Sequence, residues 1–164
     1  MADFSIQPLN ASDKDWVRQF IIEHWGADMV VAHGEIYYPH DLPGFVATSD
    51  EKPVGLITYH IEQDNCEIVT INSTQPALGV GTALIEVVKY VARYFGCRRL
   101  WLITTNDNLH ALRFYQKRGF ALVAVHRNAL DLSRKLKPEI PQLGMNGVPL
   151  RDEIELEMML DDKK

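Results

Sequence analysis

Two stretches of the chain hold residues whose types and spacing can do chemistry. In the first, a β-branched run, Glu67-Ile68-Val69-Thr70-Ile71-Asn72, passes through Ser73 to Leu78 and enters Gly79-Val80-Gly81-Thr82-Ala83-Leu84. A strand that runs into a glycine-bearing loop and then a helix leaves backbone N–H groups uncovered at the helix start. Such groups suit an anion, a pyrophosphate for example. A dinucleotide fingerprint would need a third glycine at position 84, which is Leu84, and a P-loop would need a lysine after Gly81, which is followed by Thr82. Both are excluded. Taken alone, Gly-x-Gly is equally a tight strand–helix turn.

The second stretch, Asn106-Asp107-Asn108-Leu109-His110-Ala111-Leu112-Arg113-Phe114-Tyr115-Gln116-Lys117-Arg118-Gly119-Phe120, follows an apolar strand at Leu100 to Thr104. Two strand–loop–helix units side by side, the first with an anion-binding turn, form a cleft between splayed strands. The pair resembles the GNAT superfamily of N-acetyltransferases. That family's glycine turn matches Gly79 to Leu84, and its Asn-x-x-Ala-x-x-x-Tyr-x-x-x-Gly-Phe motif matches Asn108, Ala111, Tyr115, Gly119 and Phe120. The second motif is the more specific one, and the order of elements extends the resemblance from Phe4 to Leu160. One position departs from it. Three residues before the first glycine, where the family usually has Arg or Gln, stands Pro76, with Gln75 beside it.

The resemblance implies acetyl-CoA as co-substrate. It would lie along Thr70, Ile71 and Asn72, its pantetheine pairing with strand backbone at a splayed edge. Its pyrophosphate would rest on the N–H groups of Gly79, Val80, Gly81, Thr82 and Ala83. Asn108 would hydrogen-bond the pantetheine arm, and Tyr115 would approach the thioester sulfur. The implied reaction is direct attack of a primary amine on the thioester, with the oxyanion held by a backbone N–H near Ile71. The leaving thiol, by analogy with cysteine, has a pKa of about 8.5, so Tyr115 can assist as general acid. The other reading of Tyr115 is a core contact of its helix. An amine with a lysine-like pKa of about 10.4 must lose a proton before attack. Glu67 is the family-like base, although a solvent-facing carboxylate or a water chain fits the sequence equally.

No covalent acyl-enzyme is expected, because Cys66 precedes the cofactor strand and Cys97 follows the helix. The competing readings are a CoA-binding regulatory or structural domain without transferase activity, and transfer of a longer acyl chain through a pocket widened near Ile71 and Leu112. The amine acceptor itself, small molecule or peptide, is not named by these residues.

Composition bounds the rest. The chain has 164 residues, 46% hydrophobic and 24% charged, which fits one domain spanning 1–164 with a sizeable core. A net charge of −5 argues against nucleic acid as a partner. Two cysteines make no disulfide framework and read as buried thiols in a reducing, cytoplasmic setting. The first residues carry no signal-peptide pattern. Ile68 to Ile85 lacks charge but is broken by proline and glycines, so no membrane span is expected. His24, His33, His40, His60, His110 and His126 show no paired spacing, so no metal site is expected.

The elements that must position these residues follow from periodicity. Phe4 to Leu9 reads as a strand, and a helix capped at Asn10 or Ser12 runs to about His24. Gly26 to Gly44 reads as irregular and rich in aromatics and histidine. Phe45–Thr48, Val54–Ile61 and Glu67–Asn72 read as an antiparallel meander. Apolar residues at Leu84, Val87, Val88, Val91 and Phe95 mark a helix over 82–95. A second helix covers 109–118, its Lys117 and Arg118 a favourable charge pair at the C-terminus, or a contact to the 3′-phosphate. Strands follow at 121–126 and at 153–160, where Glu153, Glu155 and Glu157 alternate with Ile154, Leu156 and Met158 as an acidic wet face. A sharper reading makes that row an acidic wall for a cationic acceptor. Arg127 to Arg151 is too long for a plain connection and, with Gly26 to Gly44, is expected to form the acceptor pocket. The expected fold is α/β, a mixed sheet with splayed middle strands flanked by helices, and the alternating final strand suggests a homodimer.

Overall fold

A computed structural model describes residues 3–75 and 78–160. Pro76, and with it the departure from the family pattern, lies outside the described residues. The strands are β1 (Ser5–Pro8), β2 (Val30–Ala32), β3 (Glu35–Tyr37), β4 (Gly44–Ser49), β5 (Lys52–Glu62), β6 (Asn65–Ser73), β7 (Arg99–Thr105), β8 (Ala121–His126) and β9 (Glu153–Met159). The helices are α1 (Lys14–Trp25), α2 (Val80–Tyr94), α3 (Leu109–Lys117) and α4 (Ala129–Leu136). Seven strands form one sheet in the order β1-β4-β5-β6-β7-β9-β8, and β2 with β3 forms a separate hairpin.

The meander β4-β5-β6 is antiparallel as its short turns require. Among the described residues only β6 and β7 run parallel, and they are joined by α2, the crossover that a parallel pair demands. Val80, Leu84, Ile85, Val88 and Ala92 fall on one stripe of α2 and are buried against β5, β6 and β7. On the opposite face, Val17, Phe20 and Ile21 of α1 pack on Leu56. The sheet is therefore covered on both sides, and each strand near its centre must carry apolar residues in both directions.

Two backbone features shape the middle of the sheet. Ile68 faces Tyr59 while Thr70 faces Thr58, so Val69 is an extra residue, a β-bulge in β6. The β6–β7 ladder runs from Asn65↔Arg99 to Ile68↔Leu102 and stops there, although both strands continue. Beyond Ile68 and Leu102 the strands diverge, leaving two facing backbone edges.

Three expectations need correction. Gly26 to Gly44 is not irregular throughout, for it contains the β2–β3 hairpin. The segment after β8 contains α4 and is tied down. The Asn106 carboxamide donates to Pro149 O at 2.8 Å and accepts from the Arg151 and Asp152 N–H groups, and Asp107 accepts from the Met145 N–H at 2.8 Å. The acidic face of the final strand is not a wet one. The strand lies between β7 and β8, Glu153 is 2% exposed, and Glu155 and Glu157 pair with Arg99. An acidic wall for an acceptor is thereby lost, because Glu153 is buried against the His33 N–H and Glu155 and Glu157 are paired with Arg99. The edge strand beside β9 is β8, and β1 forms the other edge.

Candidate active site

The strand divergence and the helix that follows β6 make the first half of the site. Gly79 caps α2 in the left-handed region, and Ala83 N–H donates to Gly79 O at 3.1 Å, the first bond inside the helix. Ala83 is thus removed from the anion-binding set, its donor being used. The N–H groups of Gly79, Val80, Gly81 and Thr82 bond to no described residue, as expected of a first helical turn. The turn sits low on the sheet because Gly55 has no side chain. A Cβ there would lie 2.4 Å from Val80 Cγ1. The Val80 side chain is fully buried, so only its backbone can serve a ligand.

The structure brings the two sequence motifs together. A Cβ at Gly81 would meet the Phe114 ring at 3.0 Å, and Arg118 Nε donates to the Thr82 hydroxyl at 2.8 Å. The Arg118 guanidinium lies 3.8 Å over Phe114 and also donates to Phe114 O. It is a C-terminal cation of α3 as expected, and it is turned toward the start of α2 as well. A cation beside the positive end of a helix is poorly matched until an anion joins them.

The remaining expected residues divide by role. Asn108 caps α3, its carboxamide oxygen accepting from Ala111 N–H at 3.1 Å, which leaves its amide as a donor. Tyr115, two turns on from Asn108, is 8% exposed and touches Phe114 and Phe120 edge-on. Its hydroxyl has no hydrogen-bond partner among the described residues, and burial holds its pKa above the ordinary tyrosine value. It stays protonated at neutral pH, as an acid must. The Thr70 hydroxyl shares a 2.6 Å hydrogen bond with Thr58, Ile71 packs into the α2-side core, and Asn72 Oδ1 accepts from Trp25 Nε1 at 2.8 Å. For these three the backbone, not the side chain, remains for a ligand.

Glu67 lies on the other face of the sheet from Ile68 and the α2-side core, one residue before the strands part. It is 3% exposed, so it is not a solvent-facing carboxylate. His33 Nε2 donates to it at 2.9 and 3.0 Å, and the Tyr37 hydroxyl donates at 2.7 Å. Its environment comes from the β2–β3 hairpin, whose two-residue turn is His33-Gly34. Both take positive φ, 42° and 80°, the combination a type I′ turn requires. The turn's tip is pinned by His33 N–H donating to the buried Glu153 carboxylate at 3.1 Å, and the His33 ring lies 5.0 Å from that of Trp101. Burial works against a charged imidazole here, but the Glu67 hydrogen bond and the charges of Glu67, Glu153 and Glu35 outweigh it and hold the His33 pKa above 6.5. Burial, opposed by His33 N–H, raises that of Glu153.

A cleft of about 720 Å³ opens on this face, walled by His33, Tyr37, His60, Glu67, Arg99 and Trp101 and rimmed by Glu35 and Glu62. None of its walls comes from 127–151, in contrast to expectation. That segment instead backs the hairpin, Lys137 Nζ donating to Met29 O at 3.1 Å. The sequence names His33 and Tyr37 only through the segment Gly26 to Gly44 and Glu153 only as one of an acidic row, and it does not point to Trp101. The available signal was His-Gly between Val30-Val31-Ala32 and Glu35-Ile36-Tyr37, two short runs joined by a two-residue turn with glycine second. Among the described residues, no group of three or more His, Cys, Asp or Glu could hold a metal ion, and no helix is long and apolar enough to cross a membrane.

Comparison with known proteins identifies the family and the fold. Residues 10–120 match the sequence profile of the acetyltransferase (GNAT) family. The uncharacterized protein YxbD of Bacillus subtilis is 44% identical over 151 residues, 92% of this chain and 95% of that protein. An IAA acetyltransferase from Bacillus cereus superposes with a TM-score of 0.71 at 18% identity, over 96% of this chain and 100% of its own. A GNAT family acetyltransferase from Elizabethkingia anophelis, solved with acetyl-CoA bound, superposes at 0.68 with 20% identity, over 98% and 100%.

Proposed function

The chain belongs to the acetyltransferase (GNAT) family, and on that premise we propose that it moves an acetyl group from acetyl-CoA directly to a primary amine that enters through the hairpin-side cleft. What supports this reading most is the gap between β6 and β7 beyond Ile68 and Leu102, with the open first turn of α2 on one side and the Glu67 cluster on the other. The acetyl-CoA held by the Elizabethkingia relative makes the same co-substrate the natural choice here.

In this reading the pantetheine pairs with the freed edge of β6 along Thr70, Ile71 and Asn72, and the Asn108 amide donates to it. The pyrophosphate sits on the N–H groups of Gly79 to Thr82, and Arg118 supplies the cation that Pro76 does not. The amine's lone pair forms the C–N bond while the C–S bond breaks. A backbone N–H near the Val69 bulge or Ile71 stabilises the oxyanion. Tyr115 protonates the leaving thiolate, and the carboxylate–imidazole cluster around Glu67 receives the proton shed by the ammonium. Glu35 and Glu62 at the rim, with the aromatic walls, favour a cationic acceptor. A second copy of the chain, if it docks through strand pairing, meets the exposed Leu122, Val123 and Val125 of edge strand β8.

The test is thiol release from acetyl-CoA across a panel of primary amines, with Tyr115→Phe beside the wild type. Removal of a general acid is expected to lower kcat by about 10²-fold with little change in the KM for acetyl-CoA. Unchanged turnover in Tyr115→Phe would remove the acid role.

A further inference from the structure

The Glu67 carboxylate has little left with which to act on a substrate. It is only 3% exposed at the cleft wall, and both oxygens already accept, one from Tyr37 and His33, the other from His33. The imidazole beside it is in the opposite condition. An ionised carboxylate can only accept, so His33 Nε2 must carry a proton, and in the neutral ring Nδ1 is then the acceptor. Nδ1 bonds to no described residue, and the His33 side chain, 27% exposed, is part of the cleft wall.

We propose that His33, through Nδ1, is the base that takes the proton from the incoming amine, and that Glu67 acts only through it, as the positioning residue that fixes its tautomer. This rests on the transfer reading above and names the residue that performs one of its steps. The ammonium gives one proton to Nδ1, which passes it to solvent through the open cleft. The freed lone pair forms the C–N bond as the C–S bond breaks. The second nitrogen proton, lost as the amide forms, also leaves to solvent, and solvent returns a proton to the Tyr115 phenolate, so one proton is released for each acetyl group transferred.

The hairpin is built for this placement. His33 occupies a left-handed turn position that asparagine would fill more readily, yet its backbone is clamped on Glu153 and its ring on Trp101 and Glu67. The groups that face it are Glu67 from β6, Glu35 and Tyr37 from β3, Glu153 from β9, and His60 and Glu62 from β5. Arg99 of β7 is already matched by Glu155 and Glu157. The carboxylates favour the imidazolium, so the base is neutral, and active, only above a pH higher than 6.5.

The experiment compares wild type, His33→Asn and Glu67→Gln. Asparagine keeps the turn, because Asn-Gly is the preferred pair there. The profile of kcat/KM against pH is read with an amine that the wild type acetylates. The wild type should lose activity as pH falls through the His33 pKa. Glu67→Gln should keep a measurable rate with that limb moved to lower pH, since the anion that raised the pKa is gone. His33→Asn should fall by about 10²-fold or more and lose the limb. The opposite pattern, a flat and inactive Glu67→Gln beside a His33→Asn of near wild-type rate, would overturn the assignment and make Glu67 the base. No turnover by the wild type on any amine would overturn the transfer reading itself. Turnover by the wild type with an unaltered His33→Asn would overturn the role of His33 alone.

Discussion

Replacing Gly55 by alanine tests whether the first turn of α2 owes its position to a missing side chain in β5. The new Cβ would lie 2.4 Å from Val80 Cγ1 and 3.2 Å from both Asn72 O and Leu84 Cδ1. Carbon atoms rest at about 3.5–4.0 Å, so Val80 must retreat by about 1 Å. It is branched and fully buried in a helix, which leaves its side chain little freedom to swing aside, and the turn itself must move. Overpacking of this kind costs about 1–3 kcal/mol. With an unfolding entropy of about 2.1 cal/mol/K per residue over 164 residues, Tm should drop by about 3–9 °C. The N–H groups of the turn move with it. Loss of one hydrogen bond to a charged group, about 1.5–3 kcal/mol, should weaken CoA binding by about 10- to 150-fold. Differential scanning calorimetry and isothermal titration read the two effects separately. A Tm within about 1 °C of wild type, together with unaltered CoA affinity, would refute the claim that Gly55 seats the turn.

Two further outcomes are expected. Burial pushes the Cys66 thiol up to about 12, with Cys97 and Glu67 adding to it, and burial also raises Cys97, so a disulfide reagent at pH 8 should react with both only after denaturation. Fast reaction of one thiol in the native protein would contradict the packing around β6 and α2. Asp152 is held below its ordinary 3.8 by the Arg151 hydrogen bond and the Asn128 N–H. Its contribution is complete above about pH 4 and lost as pH falls through the folded pKa. The Tm deficit of Asp152→Asn should accordingly be present at pH 7 and close in acid, and a deficit that persists there would contradict it.

The half of the candidate site proposed for the cofactor is legible in the sequence because its signals are local. Gly79 to Leu84 and Asn108 to Phe120 each carry strand, turn and helix within one short window, and the alternation of periods fixes which is which. The half proposed for the acceptor depends on contacts that no window contains. His33 reaches Glu67, 34 positions away, and Glu153, 120 positions away. The alternation of Glu153, Glu155 and Glu157 with apolar residues reads as a wet face, but period alone cannot tell a solvent-facing carboxylate from one paired with Arg99. The bulge at Val69 likewise leaves no mark in Ile68-Val69-Thr70, since it is defined by what stands opposite.

The central claim is that a CoA thioester lies in the gap between β6 and β7 with its pyrophosphate on the first turn of α2. Calorimetric titration with acetyl-CoA and with free CoA, on wild type and on Gly81→Arg, tests it most directly. Arginine at 81 would drive a side chain into Phe114 beside the first turn of α2. Micromolar binding by the wild type that is lost in the variant is the predicted result. Absence of binding by the wild type at millimolar CoA, or equal affinity in the two proteins, would contradict it.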